Sequence, residues 1–194
     1  LCNLCGLIFV PPEFYISAES EVARYREHEN SLDNEGYVEM FMNKINLVNK
    51  HCPQIKTALD FGCGYEPVLK ALLEKEGIKT EVFDSNFFPD FPKNKTFDLV
   101  ISTETFEHFK NPIKDIRQAA SCVSPTGFLA VMTRFYPLAK ETPCEEIFSK
   151  WYYKRDPTHI AFYTSKTFEW LARKIGFKII YNDQFDFVLF QNLI

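Results

Sequence analysis

A chain of 194 residues, 46% hydrophobic and 25% charged, suits one globular domain with a sizeable core. A formal net charge of −4 argues against a nucleic-acid binder, which needs a basic face; the one local cluster, Lys150, Lys154 and Arg155, reads as solvated surface. Six scattered cysteines make no disulfide framework, no secretory signal is visible, and no apolar run approaches the ~20 residues that span a bilayer, so no membrane and a cytoplasmic location are expected.

Residues 1–16 read as a distinct leading segment. Cys2-Asn-Leu-Cys5-Gly6 looks like one knuckle of a zinc ribbon. A structural zinc takes four protein ligands and no second C-x-x-C follows, so Cys2 and Cys5 form half a site. His28, His51 and Cys52 are spare ligands at irregular spacing. Residues 17–52 predict a helical N-terminal cap: a charged helix over about 18–30, then one from an Asp33 N-cap to His51, with Val38, Phe41, Ile45 and Val48 at the 3.6 period.

Residues 53–194 alternate regularly. Strands are predicted at about 57–61, 79–83, 97–102, 128–134, 177–182 and 186–192. Helices are predicted from Pro67 to Gly77, from Pro112 to before Ser124, and over about 165–175, stopped by Gly176. Phe87–Thr96 is proline-rich and aromatic, a loop with room for a short strand. Residues 136–163 lack periodicity and read as a functional insertion. The alternation predicts an α/β fold, a mainly parallel sheet with helices on both faces and a final antiparallel hairpin.

The run Thr57-Ala-Leu-Asp-Phe-Gly-Cys-Gly-Tyr-Glu-Pro reads as a buried strand and a glycine turn entering a helix. A dinucleotide fingerprint, G-x-G-x-x-G, wants glycine where Pro67 stands. Acid-x-Gly-x-Gly-x-Gly fits better: Asp60, Gly62 and Gly64 match, and Glu66 departs. Asp84 follows Gly64 by 20 residues, the spacing at which a carboxylate meets a ribose diol. These residues resemble motif I of the class I S-adenosylmethionine-dependent methyltransferases. Phe97-Asp-Leu-Val-Ile-Ser-Thr-Glu-Thr-Phe-Glu-His-Phe109 is similar to the segment that lines the site after strand four, and Ser121-Cys-Val-Ser-Pro-Thr-Gly-Phe-Leu-Ala to the turn into strand five. The resemblance covers about residues 20–192. It implies a Rossmann-like, seven-stranded, mostly parallel sheet with one antiparallel strand near the C-terminus.

The resemblance also implies S-adenosylmethionine as cofactor, held by Asp60, Gly62, Cys63, Gly64, Asp84, Ser85, Phe88 and Thr103. Tyr25 and Tyr37 would reach it from the cap, and Phe87 with Phe88 would flank the adenine, although core packing suits these rings equally. Cys63 reads as a small turn residue, not a nucleophile.

Methyl transfer needs an acceptor placed in line with an activated methyl group, and a base only where the acceptor must lose a proton. Asp156-Pro-Thr-His159-Ile-Ala-Phe-Tyr-Thr resembles a segment of the Methyltransferase-23-like branch, which makes His159 the first candidate base and His108 the second. A structural hydrogen bond would also explain His159. Glu104, Glu107 and His108 share one face of a helical turn. They look like the metal motif of ubiquinone-type O-methyltransferases and of small-RNA terminal 2′-O-methyltransferases, with His159 completing a site for Mg, Mn or Zn. The same Glu-His pair occurs in the superfamily without metal. Trp151, Tyr152 and Tyr153 suit acceptor-pocket walls or core burial. The expected function is O-methylation of a small-molecule acceptor. The alternatives are a metal-assisted RNA-end 2′-O-methyltransferase and a non-catalytic cofactor-binding module. Nothing in the sequence speaks to oligomeric state.

Overall fold

A computed structural model describes residues 1–27, 31–137 and 145–193. His28 and the end of the helix expected over 18–30, and part of the insertion expected over 136–163, lie outside the described residues. In chain order the elements are β1 (Ile8–Phe9), α1 (Ala18–Arg26), α2 (Glu35–His51), β2 (Thr57–Phe61), α3 (Val68–Lys75), β3 (Lys79–Phe83) and β4 (Phe97–Thr103). Then come α4 (Pro112–Ser121), β5 (Val123–Met132), α5 (Glu145–Lys150), β6 (Ala161–Phe162), α6 (Ser165–Ile175), β7 (Phe177–Asn182) and β8 (Phe187–Asn192).

Helix bounds follow local chemistry. Asn34, one residue past the expected Asp33, caps α2 by accepting from the Tyr37 amide. Thr164 and Thr167 bond reciprocally at the start of α6, and Gly176 ends it at φ 77°, a left-handed position that favours glycine. Asn111 caps α4, with Pro112 in the first turn, where its missing N–H costs nothing.

The main sheet runs β3-β2-β4-β5-β8-β7. β2, β3, β4 and β5 are parallel, and β8 is antiparallel to both β5 and β7. Among the described residues the sheet therefore has six strands, not the expected seven. After β3 the chain makes only an isolated bridge, Asp84 to Phe88. Pro89 and Pro92 then remove two ladder donors, and β3 is left as the edge.

Alternate residues of the central strands feed two cores. Leu59, Val100, Leu129 and Val131 pack with Ile116 and Ala119 of α4 and Phe168 and Leu171 of α6. Ala58, Leu99, Ile101 and Ala130 pack with Phe41, Ile45 and Val48 of α2 and Leu69, Leu72 and Leu73 of α3. Strands covered on both faces read as continuous apolar runs, as β4 and β5 do.

The aperiodic stretch has its own logic. Tyr136, Trp151, Tyr153 and Phe162 form a third, aromatic core, joined by Ile8 and Val10 of the leading segment. β1 pairs antiparallel with β6, and the Val10 amide donates to Ile160 O at 2.8 Å. Residues 1–10 are thereby sewn onto the end of the insertion. Among the described residues no helix is long and apolar enough to cross a membrane.

Candidate functional site

At the carboxyl end of β2 the chain turns through Gly62 and Gly64, both at positive φ, 84° and 69°. The Gly62 amide donates to Phe83 O at 2.7 Å, which pins the turn to the end of β3. A Cβ on Gly62 would stand 2.2 Å from the Thr105 side chain, whose hydroxyl donates to Gly62 O at 3.1 Å. Gly62 is thus required by the loop after β4 as much as by any ligand. The Gly64 amide donates to Asp84 Oδ2 at 3.1 Å, and Asp84 Oδ1 accepts from the Asn86 and Phe87 amides. The spaced acid ties the two turns together. Glu66 lies exposed on the rim.

Asp60, at the end of β2, is 1% exposed, and its Oδ1 has no hydrogen-bond partner among the described residues. Burial, and then the charge of Asp84, push its pKa up to about 7. A buried carboxyl with a vacant acceptor on a cavity wall suits an ammonium group. With the glycine turn and Asp84 beside it, this end fits the amino-acid tail and ribose of S-adenosylmethionine.

The cavity itself has a volume of about 530 Å³ and runs along the carboxyl edge of the sheet. Asp60, Gly62, Cys63, Gly64, Asp84 and Ser85 line one end, Tyr25 and Tyr37 the cap side, and Thr103, Glu104, His108, Tyr153 and His159 the other end. Phe88 does not line it; Phe87 does. Both backbone groups of Phe88 are engaged with Asp84, and that bridge presents the preceding ring to the cavity. Tyr25 donates to Glu21 at 2.8 Å and sets its ring edge against His108, centroids 5.1 Å apart.

Beyond β4 a turn of 3-10 helix, Phe106–His108, carries Glu107 and His108. His108 Nδ1 lies 2.9 Å from Thr158 O, and His159 Nδ1 lies 2.7 Å from Tyr153 O. A carbonyl only accepts, so each Nδ1 carries a proton, and in the neutral ring the lone pair stands on Nε2. The two rings stand 4.9 Å apart, and His159 Nε2 is 4.0 Å from Glu107 Oε1. Burial holds the His159 pKa below the ordinary histidine value; Glu107 opposes that and His108 adds to it.

Glu107 is fully buried, and its Oε2 has no partner among the described residues. Its Oε1 accepts from the Tyr153 hydroxyl, which also lies 3.0 Å from Glu104 Oε2. One phenol proton cannot serve two carboxylates. Burial, and then the Glu107 charge, raise the Glu104 pKa well above the ordinary carboxylate value.

Asp156 closes this end. Its Oδ1 accepts from the Thr158 amide and hydroxyl, and its Oδ2 from Arg24 of α1 at 2.9 and 3.0 Å. Although burial alone would raise it, these bonds hold Asp156 well below the usual carboxylate range.

Glu107, His108 and His159 place ligand atoms within 4.8 Å of one another. Glu104, the fourth expected ligand, is diverted to Tyr153. Trp151 belongs to the aromatic core, while Tyr152 and Tyr153 line the cavity. Cys2 and Cys5 sit in a tight turn closed by Gly6 N to Cys2 O at 2.9 Å, away from the cavity lining. Arg134 and Asp186 line the cavity without having stood out in the sequence. Their only signal was position, just after β5 and in the β7–β8 turn.

Residues 32–182 match the family Methyltransf_23, described as a methyltransferase domain. No curated protein matches the chain. Among solved structures it is similar to an O-methyltransferase family protein from Burkholderia thailandensis, at 16% identity and TM-score 0.56, over 90% of this chain and 62% of that one. It is also similar to 1,6-didemethyltoxoflavin-N1-methyltransferase of the same organism, solved with 1,6-didemethyltoxoflavin and S-adenosylhomocysteine, at 10% identity and TM-score 0.65, over 97% and 95%. The mitomycin 7-O-methyltransferase MmcR shares 12% identity at TM-score 0.54, over 90% of this chain and 67% of that one. At such identities these likenesses speak to fold, and the family match speaks to the enzyme. The chain belongs to the Methyltransf_23 family of methyltransferase domains and is an S-adenosylmethionine-dependent methyltransferase.

Proposed function

We propose that the enzyme methylates a hydroxyl oxygen of a small-molecule acceptor, with His159 as proton acceptor and His108 beside it. The observation that carries this is the pair of imidazoles whose Nδ1 atoms are fixed to backbone carbonyls, with His159 held neutral by burial. Bound S-adenosylmethionine supplies an electrophilic methyl group on a sulfonium. Asp60 would hold its amino group, Gly62, Cys63 and Gly64 its tail, Asp84 and Ser85 its ribose, with Thr103 and Tyr25 closing over it.

An alcohol is a weak nucleophile, and loss of its proton as the bond forms raises its reactivity. His159 Nε2 takes that proton, and Glu107 at 4.0 Å stabilises the resulting charge. The Arg24–Asp156 ion pair draws α1 over the cavity and limits water. Oxygen is favoured over nitrogen because a hydroxyl needs a base, whereas a neutral amine already has its lone pair. The solved relatives include both kinds.

A second reading is carried by the same trio. Glu107 Oε2 and the two Nε2 atoms would hold Mg, Mn or Zn, and an Nδ1–H bonded to a carbonyl is the usual support of a ligating histidine. A metal there would polarise the acceptor oxygen, as in the RNA-end alternative. Metal analysis of the purified protein decides between them. In the base reading, His159→Gln loses methyl transfer to a panel of small alcohols and phenols, and chelators leave the wild type active. Activity abolished by chelator and restored by one divalent ion would make the trio a metal site.

A further inference from the structure

Charge in the acceptor half of the cavity is unevenly satisfied. Asp156 holds Arg24, Asp186 holds Lys44, and Glu104 and Glu107 share Tyr153. Among the described residues, Arg134 is the only lysine or arginine that lines the cavity, and it makes no ion pair with any of them. Its Nε donates to the Tyr152 hydroxyl at 3.1 Å, its guanidinium carbon stands 3.6 Å from the Phe185 ring centroid, and its Nη1 is buried with no acceptor. A guanidinium stays charged at any working pH and offers a flat fork of donors. Leaving one of those donors desolvated and unpaired is costly, and a bound anion relieves that cost.

Position decides which ligand. Arg134 follows β5 directly, and β4 separates β5 from β2 in the sheet. The group therefore stands on the far side of β4 from Asp60 and the glycine turn, on the side of Tyr153 and Asp186.

We propose that Arg134 binds a carboxylate of the acceptor, so that the substrate class is a hydroxy acid. Its carboxylate rests on Arg134 and its hydroxyl faces His159. One guanidinium, with Asp156 and Asp186 already paired to Arg24 and Lys44, balances one negative charge, whereas a phosphate monoester would bring close to two. Tyr152, which lines the cavity beside the guanidinium, offers its ring to a planar, aromatic acid. The inference rests on the hydroxyl methyl transfer proposed above.

The test uses the protein saturated with S-adenosylhomocysteine. Salicylate, 3-hydroxybenzoate, 4-hydroxybenzoate and mandelate are titrated calorimetrically, each beside its carboxamide, with phenyl phosphate as the dianionic arm. At least one acid should bind about tenfold or more tighter than its amide and than phenyl phosphate. Arg134→Gln should erase that preference to within about twofold while leaving S-adenosylhomocysteine affinity unchanged, and Arg134→Lys should keep part of it. The proposal is overturned if no acid outbinds its amide, if phenyl phosphate binds tightest, or if the preference survives in folded Arg134→Gln. It is also overturned if Arg134→Gln weakens S-adenosylhomocysteine itself, which would make Arg134 a cofactor ligand. Failure of the wild type to bind S-adenosylhomocysteine would instead strike the cofactor assignment. Methylation of a bound acid that persists in His159→Gln would strike the base assignment alone.

Discussion

At the β2–β3 end of the cavity the lining comes from the end of β2 and two neighbouring turns; at the β4–β5 end it is side chains drawn from the loops after β4 and β5, the insertion and the β7–β8 turn. The first end is fixed by positive φ and short amide bonds, Gly62 N to Phe83 O and Gly64 N to Asp84. The second is held by tertiary contacts, above all Tyr153 between two carboxylates and two histidines tied to carbonyls of the insertion. The difference teaches that binding a common cofactor can be encoded locally, whereas presenting an acceptor depends on the packing of distant segments. Variants at one end should therefore leave the other intact.

The largest effect should come from His159→Gln. Turnover is expected to fall by about 10²–10⁴, as for loss of a general base, with S-adenosylhomocysteine affinity unchanged. Because burial lowers the His159 pKa below its unfolded value of 6.5, the neutral base persists on acidification, and wild-type turnover should hold below pH 6.5 before it drops. The sign for stability is that the buried neutral ring is favoured above 6.5, and its contribution is lost as pH falls from there through the folded pKa. Denaturant titrations of wild type and variant from pH 7 to 5 would read it.

Next comes Gly62→Ala, which combines a positive φ with a Cβ overlapping Thr105. It should cost about 2–4 kcal/mol of stability and weaken cofactor binding, measured by urea unfolding and calorimetry. Pairing it with Thr105→Ala should recover part of the loss. Tyr153→Phe removes the hydroxyl shared by Glu104 and Glu107, and about 1–3 kcal/mol should go with it. Cofactor affinity should not change, so a matching loss of affinity would break the separation of the two ends.

Asp60 sharpens the cofactor end through pH. Its pKa of about 7 means that it must shed a proton to meet an ammonium group. Wild-type affinity for S-adenosylhomocysteine should rise by up to about tenfold per pH unit below that pKa, and the slope should vanish in Asp60→Asn. For stability the raised pKa works in the opposite direction. The contribution of protonated Asp60 is full below 3.8 and is lost as pH rises through about 7. The smallest effect belongs to Arg24→Ala, which releases the tie between cap and insertion. With Arg24 side chain 39% exposed, a few tenths to about 1 kcal/mol is expected, fading with added salt.

Legibility in the sequence followed the same division. The β2 strand, glycine turn and Asp84 could be read because each role depends on near neighbours, and the end of α6 could be read from Gly176. The missing seventh strand turned on Pro89 and Pro92 at an edge, where a proline-rich stretch reads as loop and strand alike. Phe87 in place of Phe88 was decided by one bridge. The β1–β6 pairing leaves no periodic trace, because it joins residues more than a hundred positions apart, and the aromatic core of the insertion gathers rings at irregular spacing. Trp151 could not be told from Tyr152 without them. Arg134 is a single arginine after a strand until Phe185 and Tyr152 are placed around it.

The most direct test of two separable ends is calorimetric titration of S-adenosylhomocysteine into wild type and His159→Gln under identical conditions. The account predicts one site per chain in both proteins, with affinities equal within about twofold. No binding to the wild type, or binding lost together with His159, would contradict it.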